Sequence, residues 1–384
     1  MKKTYLKSNI IEEIERSKYL KGLIPRPVPY PELNALADRC RRILDENITY
    51  LLHLHNEIDK RPESDDIRDL YRTYRHLYRQ RKTIEYYGIS ALHFQSKDVH
   101  FLNRLLFKIQ KELNIPFVVP NVACFSNKYY WIECSTNVIF MPIGEAGSIL
   151  HLSDIFHELG HATIYHKDND NELEGIKNTY QTIADEITKH YQAELNIRIR
   201  QTGPDTIPLI INHLHTQWKE GWLDELFSDL FACYTLGPSF AWAHLHLTAK
   251  NAPNVYNLEQ YPIPQSHPSD DSRMRILIIG LKLMGYNSEA KRIIDFWNNL
   301  SFVESSAPIH EYQFAYPKPL METIARLMLK GMEESGFTLL KPELLSNLDN
   351  GSIRKILNDA WIEFLENENY FDWEKEVIQK LKAD

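Results

Sequence analysis

The amino-acid sequence predicts an α+β fold that is predominantly α-helical, with one small β-sheet near the middle of the chain. Apolar residues follow the helical period over most of residues 1–115, and the chain is predicted to be helical again from about residue 288 to its end. Between these regions, residues 117–142 are rich in valine, isoleucine and aromatic residues, which favour strands. We therefore divide the 384 residues into a helical N-terminal region (1–115), a core (116–300) and a helical C-terminal region (301–384).

Prolines and helical periodicity organise the N-terminal region. A proline at every second position from Pro25 to Pro31 predicts an extended segment. Three amphipathic helices are predicted after it, at about Glu32–Ile58, Ser64–Tyr87 and Lys97–Leu113.

The second of these helices carries a stripe of four arginines next to its apolar face. Such a stripe could bind an acidic peptide, a phosphate or a partner protein. We prefer the simpler interpretation of a solvated helix face that pairs with local acids such as Asp65 and Asp66. The arginines are Arg68, Arg72, Arg75 and Arg79.

Three short segments predict the sheet. Phe117–Phe125, Tyr129–Cys134 and Asn137–Pro142 are rich in strand-forming residues, and Ser126-Asn127-Lys128 is a plausible turn between the first two. Downstream, a helix is predicted over about Leu173–Arg200. A break at Gly203-Pro204 and a helix over Leu209–Leu236 with a bend near Gly221 follow.

The most informative stretch directly follows the predicted sheet and contains the pattern H-E-x-x-H, written HELGH here. Helix positions i and i+4 share one face, so His157 and His161 can offer two imidazole nitrogens to one metal ion. Glu158 leans over the same site, where its carboxylate can take a proton from a metal-activated water. Ser153 predicts an N-cap, and Asp154 places a favourable charge in the first turn. The alternative is an ordinary amphipathic helix with two satisfied histidines.

Catalytic zinc usually takes three protein ligands, so we expect a third ligand downstream of the two histidines. Glu225 and Asp229 are again i and i+4, on a helix that is otherwise strongly apolar, where unpaired carboxylates are costly. Glu225 would bind the metal, and Asp229 would accept the N–H of a ligand histidine and fix its tautomer. Glu186 and Asp185 compete as third ligands because they lie nearer to HELGH, but they lack this aspartate and this apolar setting.

Together these motifs resemble the gluzincin metallopeptidases, which carry H-E-x-x-H on one helix and E-x-x-x-D on a second. Residues 267–273 read H-P-x-x-x-x-R, similar to a segment of the CAAX-prenyl-protease and HtpX-type gluzincins. In those families the histidine and arginine lie near the active site, so the resemblance implies His267 and Arg273 as candidate stabilisers of the oxyanion. Alternatively, Pro268 and Ser269 simply begin the next helix and leave His267 as a turn residue.

The resemblance covers three short motifs within about a third of the chain. It differs from the membrane families, which carry transmembrane helices, and its 64-residue step from His161 to Glu225 is longer than in thermolysin-like enzymes. It implies a zincin-like core with one zinc ion per chain, and a peptide or protein substrate cleaved with Glu158 as general base. By the same analogy the Tyr129–Met141 region would align an extended substrate, unless these strands only cover the metal helix.

Two other functions remain open at this point. A zinc hydrolase of a non-peptide amide would use the same activated water, because the motif does not specify the acyl group. A catalytically silent regulatory or scaffold protein could keep the metal fold and act by binding partners. The intact Glu158 argues against the silent protein, which has no need of a base.

Composition limits the partners and the location. A net charge of −8 gives no support for a nucleic-acid-binding role. No stretch has the length of apolar sequence needed to span a bilayer, and the first residues lack the apolar run of a signal peptide. The four dispersed cysteines suggest reduced thiols, so we expect a cytoplasmic protein without a membrane span. The oligomeric state is not predicted.

Overall fold

The computed structural model is predominantly α-helical with one three-stranded sheet, as the sequence predicts. Its contacts divide the chain into two compact units, Met1–Leu106 with Pro120–Ile143 and Phe107–Val119 with Gly144–Asp384. The sheet, which we placed in the core region, belongs to the first of these units. The three regions drawn from the sequence stay a prediction. The structure describes residues 2–62, 67–126, 129–202, 206–251, 254–259, 261–303 and 307–383.

The first unit combines long helices with the sheet, and the predicted helix Lys97–Leu113 has the same bounds in the structure. The helix predicted to end at Tyr87 instead continues through a π-helical turn, Ile84–Ile89. A Cβ atom at Gly88 in this turn would lie 2.5 Å from the Cys40 sulfur, so the glycine permits close packing there. The division between the units falls within α5 (Lys97–Leu113), at Leu106. The other elements of the first unit are α1 (Lys2–Leu23), α2 (Asn34–Lys60), α3 (Arg68–Thr83), α4 (Ser90–His93), β1 (Asn121–Ala123), β2 (Trp131–Glu133) and β3 (Val138–Phe140).

The sheet has the order β1-β3-β2, with β3 parallel to β1 and antiparallel to β2. The Asn103 side chain completes the outer edge of β1: its Oδ1 accepts from Val122 N at 3.0 Å, and its Nδ2 donates to Val122 O at 3.4 Å. Asn127 and Lys128 of the predicted turn lie outside the described residues. The use of the Tyr129–Met141 region to align a substrate stays a prediction.

The arginine stripe of α3 is exposed at all four positions. Asp69 on the same helix pairs with Arg61 at 2.6 Å, whereas Asp65 and Asp66 lie outside the described residues. Both interpretations of the stripe, a binding surface and a solvated face, stay open.

The second unit carries the HELGH motif. Its helices are α6 (Asp154–His166), α7 (Glu174–Thr202), α8 (Thr206–Gln217), α9 (Leu223–Leu236), α10 (Pro238–Asn251), α11 (Asp270–Leu283), α12 (Asn287–Val303), α13 (Tyr312–Ala315), α14 (Lys318–Glu334), α15 (Pro342–Asn347), α16 (Ile353–Glu366) and α17 (Tyr370–Ala383). The predicted bend near Gly221 corresponds to a π-helical turn, Trp218–Trp222, between α8 and α9. The predicted break at Gly203-Pro204 lies outside the described residues. None of the helices in the described ranges is long and apolar enough to cross a membrane.

The predicted N-cap of α6 is wrong. Ser153 has helical backbone angles at the end of a 3₁₀ turn, and its side chain makes no capping bond. Its hydroxyl lies 2.8 Å from the Ser239 hydroxyl, so tertiary packing uses the group that a cap would need. Just upstream, the buried Glu374 carboxylate of α17 accepts from Ile149 N at 2.7 Å and from the Tyr370 hydroxyl at 2.7 Å. The C-terminal helix therefore holds the segment that leads into α6.

A buried ion pair joins α1 and α3 in the first unit. Arg81 is 1% exposed and donates to Glu13, which is 2% exposed, and its second nitrogen reaches Glu85 at 2.6 Å. Burial raises the pKa of Glu13 even though Arg81 opposes the shift. The carboxylate therefore depends on Arg81 to remain charged.

We expect Arg81→Met to lower the free energy of unfolding by about 3 kcal/mol, because it leaves the Glu13 charge buried and unpaired. Arg81 lowers the pKa of the buried Glu13, so its removal moves that pKa further above the unfolded value, and the loss should be larger at neutral pH than at about pH 5. Urea unfolding at both pH values measures it. Arg79→Met, on the exposed side of α3, is the control and should change stability by less than about 0.5 kcal/mol. Equal losses in the two variants would contradict the role of the pair, and Glu13→Met combined with Arg81→Met should recover most of the loss.

Candidate metal centre

Two helices of the second unit bring three potential ligands together. The Nε2 atoms of His157 and His161, both on α6, lie 3.1 Å apart. Glu225 on α9 faces both, with Oε2 3.5 Å from His157 Nε2 and Oε1 3.4 Å from His161 Nε2. Among the described residues these three form a group that could hold a metal ion, with ligand atoms all within 4.8 Å of one another.

The spacing of these atoms fits a tetrahedral ion. Ligands at about 2.0–2.1 Å from such an ion lie about 3.4 Å from one another. The two histidine nitrogens lie 3.1 Å apart, and each faces a different oxygen of Glu225, at 3.5 and 3.4 Å, so all three separations are close to this value. Three protein ligands leave a fourth position for water or a substrate atom, which is the arrangement of catalytic rather than structural sites.

A glycine allows α6 and α9 to approach closely enough for this geometry. Gly160 lies between the two histidines and faces Ser228 of α9, one turn beyond Glu225. A Cβ atom at Gly160 would lie 2.6 Å from the Ser228 Cα atom, which is shorter than any normal contact. The helix backbones therefore touch where the ligands converge.

Asp229 orients one of the histidines. Its Oδ1 lies 2.9 Å from His157 Nδ1, which leaves Nε2 to face Glu225. Arg273 on α11 donates to both oxygens of the same carboxylate, from Nε at 2.8 Å and from a terminal nitrogen at 2.6 Å. Asp229 is fully buried, and Arg273 and His157 neutralise its charge in place of water. The Phe240 ring stacks on the His157 ring with centroids 5.8 Å apart and fixes its plane.

The charges around the site stabilise a cation between the carboxylates. Burial alone would raise the pKa of Asp229, but Arg273 and His157 outweigh it and hold that pKa well below its usual range. Burial opposes protonation of His157, yet its hydrogen bonds to Asp229 and Glu225 raise its pKa to about 10. Burial would likewise raise the pKa of Glu225, but the two histidines lower it to about 2. Burial and the charge of His157 lower the pKa of His161 to about 4.

Glu158 is 5% exposed and lies next to His157 on α6. Burial raises its pKa to about 7, and the negative charges of Glu225 and Asp154 act in the same direction. A carboxyl group with a pKa near neutrality can both accept and return a proton under ordinary conditions. This property distinguishes Glu158 from Glu225, whose carboxylate stays ionised.

The H-P-x-x-x-x-R segment begins a helix and also places His267 next to Glu225. The Ser269 side chain caps α11 by accepting from Ser272 N at 3.2 Å, so the segment does begin a helix. His267 nevertheless lies at the site, with Nε2 3.6 Å from Glu225 Oε1 and its ring 63% exposed. The Ser266 hydroxyl lies 2.9 Å from its other ring nitrogen. Arg273, by contrast, directs its donors to Asp229.

The competing third ligands lie elsewhere on α7. Glu186 forms an exposed ion pair with Lys189 at 2.7 Å, and Asp185 accepts from Gln181 at 3.0 Å. The structure therefore groups Glu225, and neither of these acids, with the two histidines.

Three features of the site were missed from the sequence. A glycine inside a helix costs about 1 kcal/mol of stability relative to alanine, so Gly160 could have indicated close packing at this position. The stacking of Phe240 and the loop contacts of Gln265 are long-range, and the sequence contains no local sign of them. Gln265 anchors the loop that carries His267 through Trp222, whose Nε1 donates to Gln265 O at 3.0 Å.

Comparison of the chain with models of protein families, with curated proteins and with solved structures finds no match. The likeness to gluzincins therefore consists of the three motifs and their residues.

We expect Gly160→Ala to lower the free energy of unfolding by about 1–3 kcal/mol, because the new methyl group would push α6 away from α9. In an unconstrained helix the same change would instead stabilise by about 1 kcal/mol. Displacement of the histidines should also weaken binding of Zn²⁺. Urea unfolding and titration with zinc against a chelator measure the two effects.

The matched control is Gly147→Ala, where a Cβ atom would meet nothing within 4 Å. It should leave both quantities near their wild-type values. Wild-type stability and zinc affinity in Gly160→Ala would show that the two helices are not in close contact.

Proposed function

We propose that this chain is a zinc-dependent metallopeptidase of the gluzincin type, with a zincin-like core, that hydrolyses peptide bonds with Glu158 as general base. One observation carries the proposal: three ligand atoms from α6 and α9 lie within 4.8 Å of one another, and a buried glutamate follows the first ligand. We also propose that the protein acts in the cytoplasm on a peptide or protein substrate and has no nucleic-acid partner.

Zinc is the metal that suits these ligands best. Two imidazole nitrogens and one carboxylate oxygen are a ligand set of known zinc peptidases, whereas magnesium and calcium prefer oxygen ligands throughout. His157, His161 and Glu225 would hold one ion per chain. When bound, zinc supplies a Lewis acid that lowers the pKa of a water molecule and polarises a carbonyl group.

Glu158 would move the proton in this reaction. Its carboxylate accepts a proton from the attacking water and later gives it to the leaving nitrogen. Burial raises its pKa to about 7, which suits a group that takes up a proton and returns it near neutral pH.

His267 and Arg273 would have separate roles. The exposed His267 imidazole next to Glu225 is free to donate a hydrogen bond to an oxyanion of the substrate. Arg273 spends its donors on Asp229 and would act as a positioning residue that keeps His157 in the right orientation. No contact among the described residues of the site favours a hydrolase of non-peptide amides or a catalytically silent scaffold protein. Measurements of zinc content and of turnover distinguish these two functions from the peptidase.

Elemental analysis of the purified chain tests the ligand set. We expect one zinc per wild-type chain and a loss of zinc affinity of more than about a hundredfold in Glu225→Ala. Removing a ligand should lower the affinity more than removing a residue that only supports a ligand. Glu186→Ala is the matched control, because it removes the same side chain from the competing position on α7. Zinc kept in Glu225→Ala but lost in Glu186→Ala would contradict the assignment.

Turnover on unfolded protein and short peptides tests the general base. We expect Glu158→Gln to lower kcat by about 10²- to 10⁴-fold while its zinc content stays at the wild-type value. The amide keeps the shape of the side chain but cannot take a proton. Near-normal hydrolysis by this variant would make the role of Glu158 wrong. A zinc-loaded wild type that cleaves only non-peptide amides, or nothing, would favour one of the two other functions.

A further inference from the structure

The geometry points to a substrate groove that runs from His267 along the loop before α11 and ends in a pocket for one large apolar side chain of a peptide. This inference rests on the proposed peptidase function and adds a sequence preference to it. The residues that carry it are the described parts of the loop, 254–259 and 261–268, together with α8 and the segment 307–311.

The groove begins beside the candidate metal centre. A cavity of about 580 Å³ is lined by His267, which faces Glu225, and by Arg273, which binds Asp229. Most of its remaining wall comes from the loop and is polar. Such a wall can hydrogen-bond the backbone of an extended peptide. Its polar side chains include Asn257, Glu259, Gln265 and Asp270.

A second cavity shares the lining residue Glu259 with the first. Its volume is about 260 Å³, below the roughly 300–1,000 Å³ of pockets that hold small molecules. It therefore fits one side chain rather than a whole ligand. Its walls are mainly apolar, contributed by Ile210, Leu214, Leu258, Tyr261 and Ile309.

Large apolar side chains stay exposed along this path. Tyr261 is 47% exposed and Ile309 is 39% exposed at the second cavity, and Ile263 is 54% exposed at the first. Adjacent exposed apolar groups rimmed by polar residues mark surfaces that bind a partner. Because the path starts at His267, which lies 3.6 Å from Glu225, the partner that fits is the peptide held for cleavage.

Hydrogen bonds hold the described parts of the loop in place, which a selective groove requires. The backbone N–H of Gln265 donates to Gln217 Oε1 at 2.6 Å, and its carbonyl accepts from Trp222 Nε1 at 3.0 Å. The Gln265 side chain then links the loop internally, accepting from Glu259 N at 3.1 Å and donating to Asn257 O at 3.3 Å. Gln265 thus ties the loop to α8 and to the π-helical turn before α9.

The chain itself limits the distance between the two ends. Tyr261 and His267 are six positions apart, so their Cα atoms lie at most about 22 Å from each other. An extended peptide covers that distance in about six residues. The preferred apolar residue of a substrate should therefore lie no more than about six positions from the cleaved bond.

The test uses the zinc-loaded full chain and quenched fluorescent peptides of about 14 residues, in which one phenylalanine is walked along an alanine- and serine-rich sequence. Mass spectrometry locates the cleaved bond. We expect phenylalanine at one position within about six residues of that bond to raise kcat/KM by at least about tenfold over alanine. Tyr261→Ala and Ile309→Asn should each reduce this ratio by about fivefold or more, since they open the pocket or make it polar.

Leu283→Asn is the matched control, because Leu283 is also 39% exposed but lines neither cavity. It should leave the ratio unchanged. The inference is overturned if no position shows a preference, or if the preference survives in both pocket variants. It is also overturned if those variants change the oligomeric state instead, since the pocket would then be an interface between copies of the chain.

A binding measurement separates failure of the groove from failure of the peptidase. Fluorescence anisotropy with zinc-loaded Glu158→Gln should show the phenylalanine peptide bound at least about tenfold more tightly than its alanine counterpart. Combination with Tyr261→Ala should remove the difference. Selective binding without hydrolysis by the wild type would contradict the proposed reaction and support the groove. Hydrolysis with neither a binding preference nor a rate preference would support the reaction and contradict the groove.

Discussion

Asp229 carries a negative charge where water does not reach, and three helices are tied together by the need to neutralise it. Arg273 reaches it from α11 with two donors, and His157 lies against it from α6. Removing one partner of such a buried set typically costs 3–5 kcal/mol, so α6, α9 and α11 cannot separate independently. The direction of the His157 ring, and hence of the nitrogen that faces Glu225, follows from this arrangement. The candidate metal centre is therefore supported by charge pairing behind the three residues that could bind an ion.

Charge pairing sets the orientation of the ligands, and close packing sets their distance. Gly160 and Ser228 lie where the two helix backbones touch, and they are one turn away from His157 and Glu225 respectively. A wider crossing would leave the pair correctly oriented but too far apart for a single ion. The two constraints act on the same pair of helices and are met by different residues. The loop held by Gln265 then adds His267 on the open side of the site.

Local periodicity predicted most of the helices and the face on which HELGH presents its histidines, because i and i+4 spacing is a property of the helix itself. It also favoured Glu225 over Glu186, since an acid pair in an apolar helix needs a partner. The partner of Asp229 was identified only in part: the role of Arg273 depends on α11 packing against α9, which no local pattern contains. Ser153 shows the converse, because a good capping residue is used for tertiary contact with Ser239. The grouping of the sheet with the N-terminal helices likewise depends on contacts between distant segments.

The contact between Glu374 and Ile149 has a consequence for the order in which the protein is made. Ribosomes synthesise chains from the N-terminus at about 5–20 residues per second, so Glu374 is added roughly 7–30 s after Glu225. During that interval all three potential ligands have been synthesised. The segment that leads into α6, the helix of the two histidines, still lacks the Glu374 carboxylate that accepts its hydrogen bond. The ribosome thus adds the three potential ligands before it adds Glu374, the residue that supports the segment before α6. The nascent chain acquires its finished centre only near the end of synthesis.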